Sequence, residues 1–159
     1  MVRTDPAAGL DGEEAAAWRA FITAAGRLLQ RLDAELAAAT GLGLADYEIL
    51  ALLGGSADGG VRMATLAGAV LVSPSGLTRR VDRLAAEGLV ERRACPTDRR
   101  GVLAVLTPAG RARLEAAAPV HVAGVRQWFL GRLDRRQLGP LAAALGAVAE
   151  HSRPPRPRC

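Results

Sequence analysis

The sequence predicts a mainly α-helical fold with a small β-wing, and three observations predict it. Half of the 159 residues are apolar but only 3% are aromatic. The core must therefore be built chiefly from Leu, Val and Ala, a composition that suits packed helices. Apolar residues stepping alternately by four and three run from Trp18 to Ala39, which is the spacing of a helical seam. Between Leu71 and Gly110, LVSPSGLTRRVDRLAAEGLVERRACPTDRRGVLAVLTPAG reads as a helix start, a basic amphipathic helix, a tight stop and two short strands around an arginine-bearing turn.

Residues 1–12 mix Pro, Gly and charge and are expected to be flexible. A helix follows over 13–40. Its seam is Trp18, Ile22, Ala25, Leu29, Leu32, Leu36 and Ala39, widened by Phe21 and Leu28. A helix this long at the head of a small protein favours packing against a partner subunit over merely covering its own core. Gly41-Leu42-Gly43 ends it. A second helix, roughly Ala45 to Leu53, carries Tyr47, Leu50 and Leu53 on one side. Gly54–Gly60 is a loop, Val61-Arg62 a small strand, and Met63 to about Val70 a third helix with Met63, Leu66, Ala67 and Val70 inward.

Ser73-Pro74 joins an N-cap hydroxyl to a proline at the first helical position, a strong start signal. Leu77, Val81, Leu84 and Ala85 form the buried stripe of the helix over 73–87, and Gly88 stops it in the left-handed manner. The other face holds Ser75, Gly76, Thr78, Arg79, Arg80 and Arg83. Small polar residues at a helix N-terminus let backbone approach DNA closely, while arginines reach bases or phosphates. The alternative, an ordinary solvated face, is disfavoured because only Asp82 offsets three arginines directly after a positioning helix.

Leu89–Ala94 and Val102–Leu106 fit two antiparallel strands of a wing over 89–106, with Cys95–Gly101 as the turn. Asp98, Arg99 and Arg100 lie at or near its tip. Such a hairpin can lay a guanidinium into a narrow minor groove. Asp98 is useful there only if it fixes a neighbouring arginine through a paired hydrogen bond. Helix, helix and basic hairpin together, over 41–106, form a winged helix-turn-helix.

Thr107-Pro108 repeats the cap-plus-proline start and opens a long helix with Leu114, Ala118, Val122, Val125 and Phe129 on one stripe and Trp128 beside it. Pro119 is expected to kink or restart it. Asp134 with Gln137 resembles a capping box for a last helix carrying Leu138, Leu141, Leu145 and Val148, although Pro140 obscures its start. These helices, over 107–151, are the remaining part of a dimerisation lobe. Residues 152–159, SRPPRPRC, form a basic proline-rich tail expected to be disordered.

The net charge of +5 is unevenly placed. Residues 1–62 hold 5 Arg against 9 acids, residues 63–113 hold 9 against 4, and residues 114–159 hold 7 against 3. The positive excess thus falls on the reading elements and the C-terminal end, as phosphate binding requires. All 21 basic residues are Arg, which biased codon usage explains as readily as any function. No run approaches the roughly 18 apolar residues of a membrane span, and Met1–Asp11 lacks the layout of a signal peptide. A cytoplasmic protein is expected. With no glycine-rich phosphate loop, no Ser/His/Asp set at workable spacing and no metal-ligand motif, an enzyme is not expected, nor a cofactor or a metal. Cys95 and Cys159 are too few for a disulfide framework.

With these elements in place, Trp18–Glu150 resembles the multiple antibiotic resistance regulator (MarR) family of winged-helix transcription factors. The sharpest stretch is S-P-S-G-L-T-R-R-V-D-R-L-A-A-E-G-L-V-E-R-R followed by D-R-R-G-V-L-A-V-L-T. The resemblance implies a homodimer, joined by the first helix and the last two, that binds a pseudo-palindromic operator in double-stranded DNA. It further implies a repressor released by a small-molecule effector. By position, the recognition-helix contacts are Ser73, Ser75, Gly76, Thr78, Arg79 and Arg80, with Arg83 on the same face. In the wing, Arg100 matches the minor-groove arginine, Asp98 its orienting partner, and Arg99 a phosphate contact. Trp18, Tyr47 and His121 match the family's effector pocket by location alone. The chain departs from the oxidant-sensing branch, which carries a reactive Cys near the start of its first long helix. Here Cys95 at the foot of the wing reads as a small silent residue, with redox sensing as the alternative. Metal sensing is disfavoured for want of a Cys/His cluster. A winged helix used for protein contacts is disfavoured by the arginines.

Overall fold

The computed structural model describes residues 9–56, 60–70, 72–95 and 98–152, with the side chains of residues 98–100 outside that description. Six α-helices and three strands follow in the order α1 (Gly12–Thr40), α2 (Leu44–Gly54), β1 (Val61–Arg62), α3 (Met63–Ala69), α4 (Pro74–Ala86), β2 (Val90–Cys95), β3 (Asp98–Leu106), α5 (Pro108–Trp128) and α6 (Arg135–His151). A single 3₁₀ turn, Leu130–Arg132, joins the last two helices. The predicted class, mainly helical with a small β-wing, is the observed one.

Local chemistry sets most boundaries. Asp11, expected within the loose N-terminus, instead caps α1. Its carboxylate accepts from Glu13 and Glu14 N–H while the Glu14 carboxylate accepts from Asp11 N–H. α2 has no cap of its own, because Gly43 precedes it. Asp33 of α1 supplies the acceptor, taking the Leu44 N–H at 2.7 Å. A Cβ on Gly43 would lie 3.1 Å from that same carboxylate oxygen, so glycine leaves room for the borrowed cap. Ser73 and Thr107 each accept an N–H from three residues on, with Pro at the first helical position. Asp134 and Gln137 form the expected capping box of α6. Gly88 adopts φ 73° after α4, and Leu89 N–H closes back onto the Leu84 carbonyl at 2.9 Å, the hydrogen bond of a left-handed stop.

The three strands form one antiparallel sheet in the order β1-β3-β2, pairing Val61 with Ala104 and Val90 with Leu106. The wing differs from the expected one. β3 begins at Asp98, and Cys95 pairs with Asp98 while the preceding pair is Ala94 with Val102. Residues 99–101 are therefore extra on β3, a bulge where a seven-residue turn was expected. Of the two expected turn residues, Gly101 lies within the strand, and Pro96 is outside the described residues.

The core joins Leu32 and Leu36 of α1 to Ile49, Leu50 and Leu53 of α2, Leu66 of α3, Leu77, Val81 and Leu84 of α4, and Ala104 of β3. The α1 seam divides. Leu32 and Leu36 are buried in this core, whereas Trp18, Phe21, Ile22 and Leu29 stay exposed. α5 packs on small residues, with Gly124 at its crossing with α1. Its fully buried positions are Gly110, Ala117 and Gly124, seven apart, while Leu114 and Val125 of the expected stripe pack half-buried against the core. Val122 of that stripe is 42% exposed. A Cβ on Gly124 would sit 2.8 Å from Leu32 Cδ2, which is why the helices can approach so closely. Trp128 secures the crossing, donating its indole N–H to the Glu35 carboxylate while Arg31 lies 4.5 Å from its ring centroid. α5 runs through Pro119, and α6 through Pro140, without interruption. Both prolines are exposed, so the carbonyl each leaves without a helical donor can be met by water. Residues 153–159 of the expected disordered tail lie outside the described residues, and Ser152 is the C-cap of α6. No single helix among the described residues is long and apolar enough to cross a membrane.

Candidate nucleic-acid interface

α4 is the centre of the site. Leu77, Val81 and Leu84 are buried on one side, while Ser73, Ser75, Thr78 and Arg79 are exposed on the other. The hydroxyls at its start are partly committed. Ser73 Oγ accepts Gly76 N–H at 3.2 Å, and Thr78 Oγ1 donates to the Pro74 carbonyl at 3.1 Å. Ser75 Oγ lies 3.4 Å from Ser73 Oγ. A Cβ on Gly76 would meet Ser73 Oγ at 3.0 Å, so glycine here protects the cap.

The arginines fall into two sets. Arg79 is exposed and has no ion-pair partner among the described residues. Arg80 and Arg83 converge on one carboxylate, that of Asp46 at the start of α2. Arg80 Nη1 donates to Asp46 Oδ1 at 3.0 Å, and Arg83 Nη2 donates to Oδ2. Asp46 is only 2% exposed, the one charged residue in the buried core among the described residues. A buried carboxylate needs such partners, since an unpaired one loses its hydration without compensation. Arg83 also approaches Glu87 at 3.7 Å. On the wing, Arg92 of β2 reaches Asp82 of α4 at 2.8 Å, and Arg93 pairs with Glu91 at 2.9 Å. That second pair holds Glu91 below the usual carboxylate range. Both pairs are solvent-exposed and so add little stability, but the first orients wing and helix together.

The sequence reading missed Asp46, because its partners are 34 and 37 residues away and no local spacing marks it. Its one signal is an acid inside LADYEILALL, an otherwise apolar helix. The side chains of Asp98, Arg99 and Arg100, assigned to the wing tip, lie outside the described residues.

Of the three residues matched to an effector pocket, the structure brings two together. Tyr47 of α2 stacks on His121 of α5 with ring centroids 4.5 Å apart. Burial pushes the Tyr47 hydroxyl up and the His121 imidazole down from their ordinary values. His121 Nδ1 is buried without a hydrogen-bond partner among the described residues. Trp18 stands outside this stack, 47% exposed, with Phe21 as its ring neighbour at 6.2 Å. Cys95 is buried at the foot of the wing, on the wall of a cleft of about 710 Å³ bordered by Leu52, Val61, Thr65 and Leu103. No group of three His, Cys, Asp or Glu side chains among the described residues is arranged to hold a metal ion.

Comparison with known proteins gives a consistent result. A model of the MarR family matches residues 40–101. No curated protein matches the chain by sequence. Sco3205, a MarR family transcriptional regulator from Streptomyces coelicolor solved in complex with DNA, is 37% identical with a TM-score of 0.85, covering 92% of this chain and 95% of that one. AbsC, a MarR family transcriptional regulator from the same organism, is 38% identical with a TM-score of 0.81, covering 89% of this chain and 95% of that one. A MepR-like protein complexed with pseudoligands is 30% identical with a TM-score of 0.63, covering 84% and 92%.

Proposed function

Because the chain belongs to the MarR family of transcriptional regulators, we propose that it is a DNA-binding repressor that grips a pseudo-palindromic operator as a homodimer and releases it when a small-molecule effector binds. The observation that carries this reading is α4, whose apolar side is locked into the core while Ser75, Thr78 and Arg79 stand exposed beside a basic wing. A helix held this way enters a major groove as a rigid body, with its N-terminal side chains at base edges. Likeness to Sco3205, a protein solved on DNA, supports the transfer.

In this reading Ser73, Ser75, Gly76, Thr78 and Arg79 contact DNA from the start of α4, with Arg80 and Arg83 behind them. Asp98, Arg99 and Arg100 set the wing in the neighbouring minor groove, Asp98 orienting Arg100. The homodimer is supported by the unpartnered apolar side chains Trp18, Phe21 and Ile22 of α1, Val122 of α5, and Leu145 and Val148 of α6. Large apolar side chains exposed on three helices are ones that a lone monomer in water has reason to cover. An effector site is supported by the Tyr47–His121 stack and its unmet imidazole nitrogen, and by likeness to a MepR-like protein complexed with pseudoligands.

The test is selection of duplexes from a random pool, followed by titration of the enriched duplex at several salt concentrations. We expect an inverted-repeat motif and an affinity that falls steeply with salt as counterions are released. An affinity indifferent to salt, or no enriched motif, overturns the reading.

A further inference from the structure

We propose that Asp46 is a positioning residue for DNA recognition: it draws the Arg80 and Arg83 guanidiniums back against the protein as a phosphate-facing pair and leaves Arg79, with Ser75 and Thr78, to read bases. The inference rests on the DNA-binding reading above and divides the labour among arginines that sequence alone treats as equivalent.

The geometry has three parts. First, Asp46 is almost completely enclosed, and each of its oxygens takes one guanidinium. An arginine whose Nη1 sits 3.0 Å from a buried carboxylate is folded toward the protein body. Bidentate reading of guanine needs a guanidinium extended along the groove with its fork unobstructed. Arg80 does not meet that condition while bound, yet it remains 37% exposed. Each guanidinium carries five N–H donors, so donors remain for a phosphate oxygen.

Second, the charge is right for a backbone contact. Two guanidiniums on one carboxylate leave a net positive cluster, and Glu87 near Arg83 moderates that side only. Arg80 is therefore the member with charge to spare. Tethering also removes rotamer freedom before DNA arrives, so less is lost on binding.

Third, Asp46 is itself fixed. Its N–H donates to the Gly43 carbonyl at 3.1 Å, and the Leu44 N–H two residues before it is held by Asp33 of α1. The carboxylate is thus referenced to two helices while it holds a third.

The experiment uses the full chain, the selected duplex and a scrambled duplex of equal length. Asp46→Asn keeps the shape and removes the charge. We expect its affinity for the selected duplex to fall on the order of tenfold while its affinity for the scrambled duplex holds or rises, so that selectivity narrows. A merely structural role would lower both affinities together and leave their ratio unchanged, and that result overturns the proposal. Arg80→Ala serves if Asp46→Asn fails to fold. It should weaken both duplexes alike and make the salt dependence shallower by about one released ion, whereas Arg79→Ala should weaken the selected duplex alone. Arg80→Ala that erases base preference refutes the division of labour. A wild-type chain that enriches no duplex overturns the DNA-binding reading and this one together, whereas a binding wild type with an unaltered Asp46→Asn ratio overturns this one only.

Discussion

Gly110 is the third residue of α5, and replacing it with alanine tests how α5 is fastened to the stop of α4 and the start of β2. A Cβ there would fall inside the van der Waals surface of the Leu89 carbonyl oxygen and 2.7 Å from Leu106 Cδ1. The leucine methyl can turn aside. The Leu89 carbonyl is backbone, already engaged by the Thr107 N–H at 3.2 Å, so α5 or the start of β2 must move. Overpacking against such a wall costs about 3 kcal/mol, the upper end of the usual range. Exchanging glycine for alanine within a helix returns about 1 kcal/mol. The net loss is therefore about 2 kcal/mol, or roughly 4–8 °C in Tm for a chain of this size. Thermal unfolding followed by circular dichroism at one fixed protein concentration measures it, since association makes Tm concentration-dependent. Gly68→Ala is the control: it is helical, and its Cβ meets nothing within 4 Å. It should be neutral or stabilise by up to about 1 kcal/mol. If Gly110→Ala is as stable as the wild type, α5 does not press on Leu89 as described.

Three further outcomes are expected. Burial lowers the His121 pKa below its ordinary 6.5, so the unfolded chain binds more protons than the folded one below that pH. Stability is full above pH 6.5 and is lost as pH falls toward the depressed value; His121→Phe should flatten that slope in denaturant titrations between pH 5 and 7, and an unchanged slope would clear His121 of the effect. Asp134→Ala removes the carboxylate that accepts the Arg136 and Gln137 N–H groups at the start of α6 and should cost about 1 kcal/mol, read as a lower denaturant midpoint with unchanged m-value. Ile22→Asp puts a charge on the exposed apolar face of α1 and should shift sedimentation from dimer toward monomer at micromolar concentration, a result that a wild-type profile would contradict.

What was legible in the sequence was what is local. Ser73-Pro74, Thr107-Pro108 and Asp134 with Gln137 announced three helix starts within a residue, because a cap is a contact between near neighbours. Gly88 announced a stop for the same reason. The buried line of α5 is not legible, since periodicity favours large apolar residues while the fully buried positions are Gly110, Ala117 and Gly124, of which Gly124 faces α1. Small residues at a contact matter through what they permit, and only the facing Leu32 reveals it. Asp46 escaped notice for a related reason: its importance lies in two arginines more than thirty residues away. The bulge over 99–101 looks like a turn in the sequence because glycine serves both.

The Thr107 hydroxyl makes α5 a lever. It donates to the Gly88 carbonyl at 2.7 Å and accepts from Gly110 N–H at 3.0 Å, which rivets the front of α5 to the stop of α4. Gly124, wedged against Leu32, is the natural fulcrum, and 17 residues of helix separate it from the rivet, about 26 Å. Over that arm a tilt of roughly 5° sweeps the rivet through about 2 Å. A 2.7 Å hydrogen bond cannot stretch that far, so the end of α4 must travel with it.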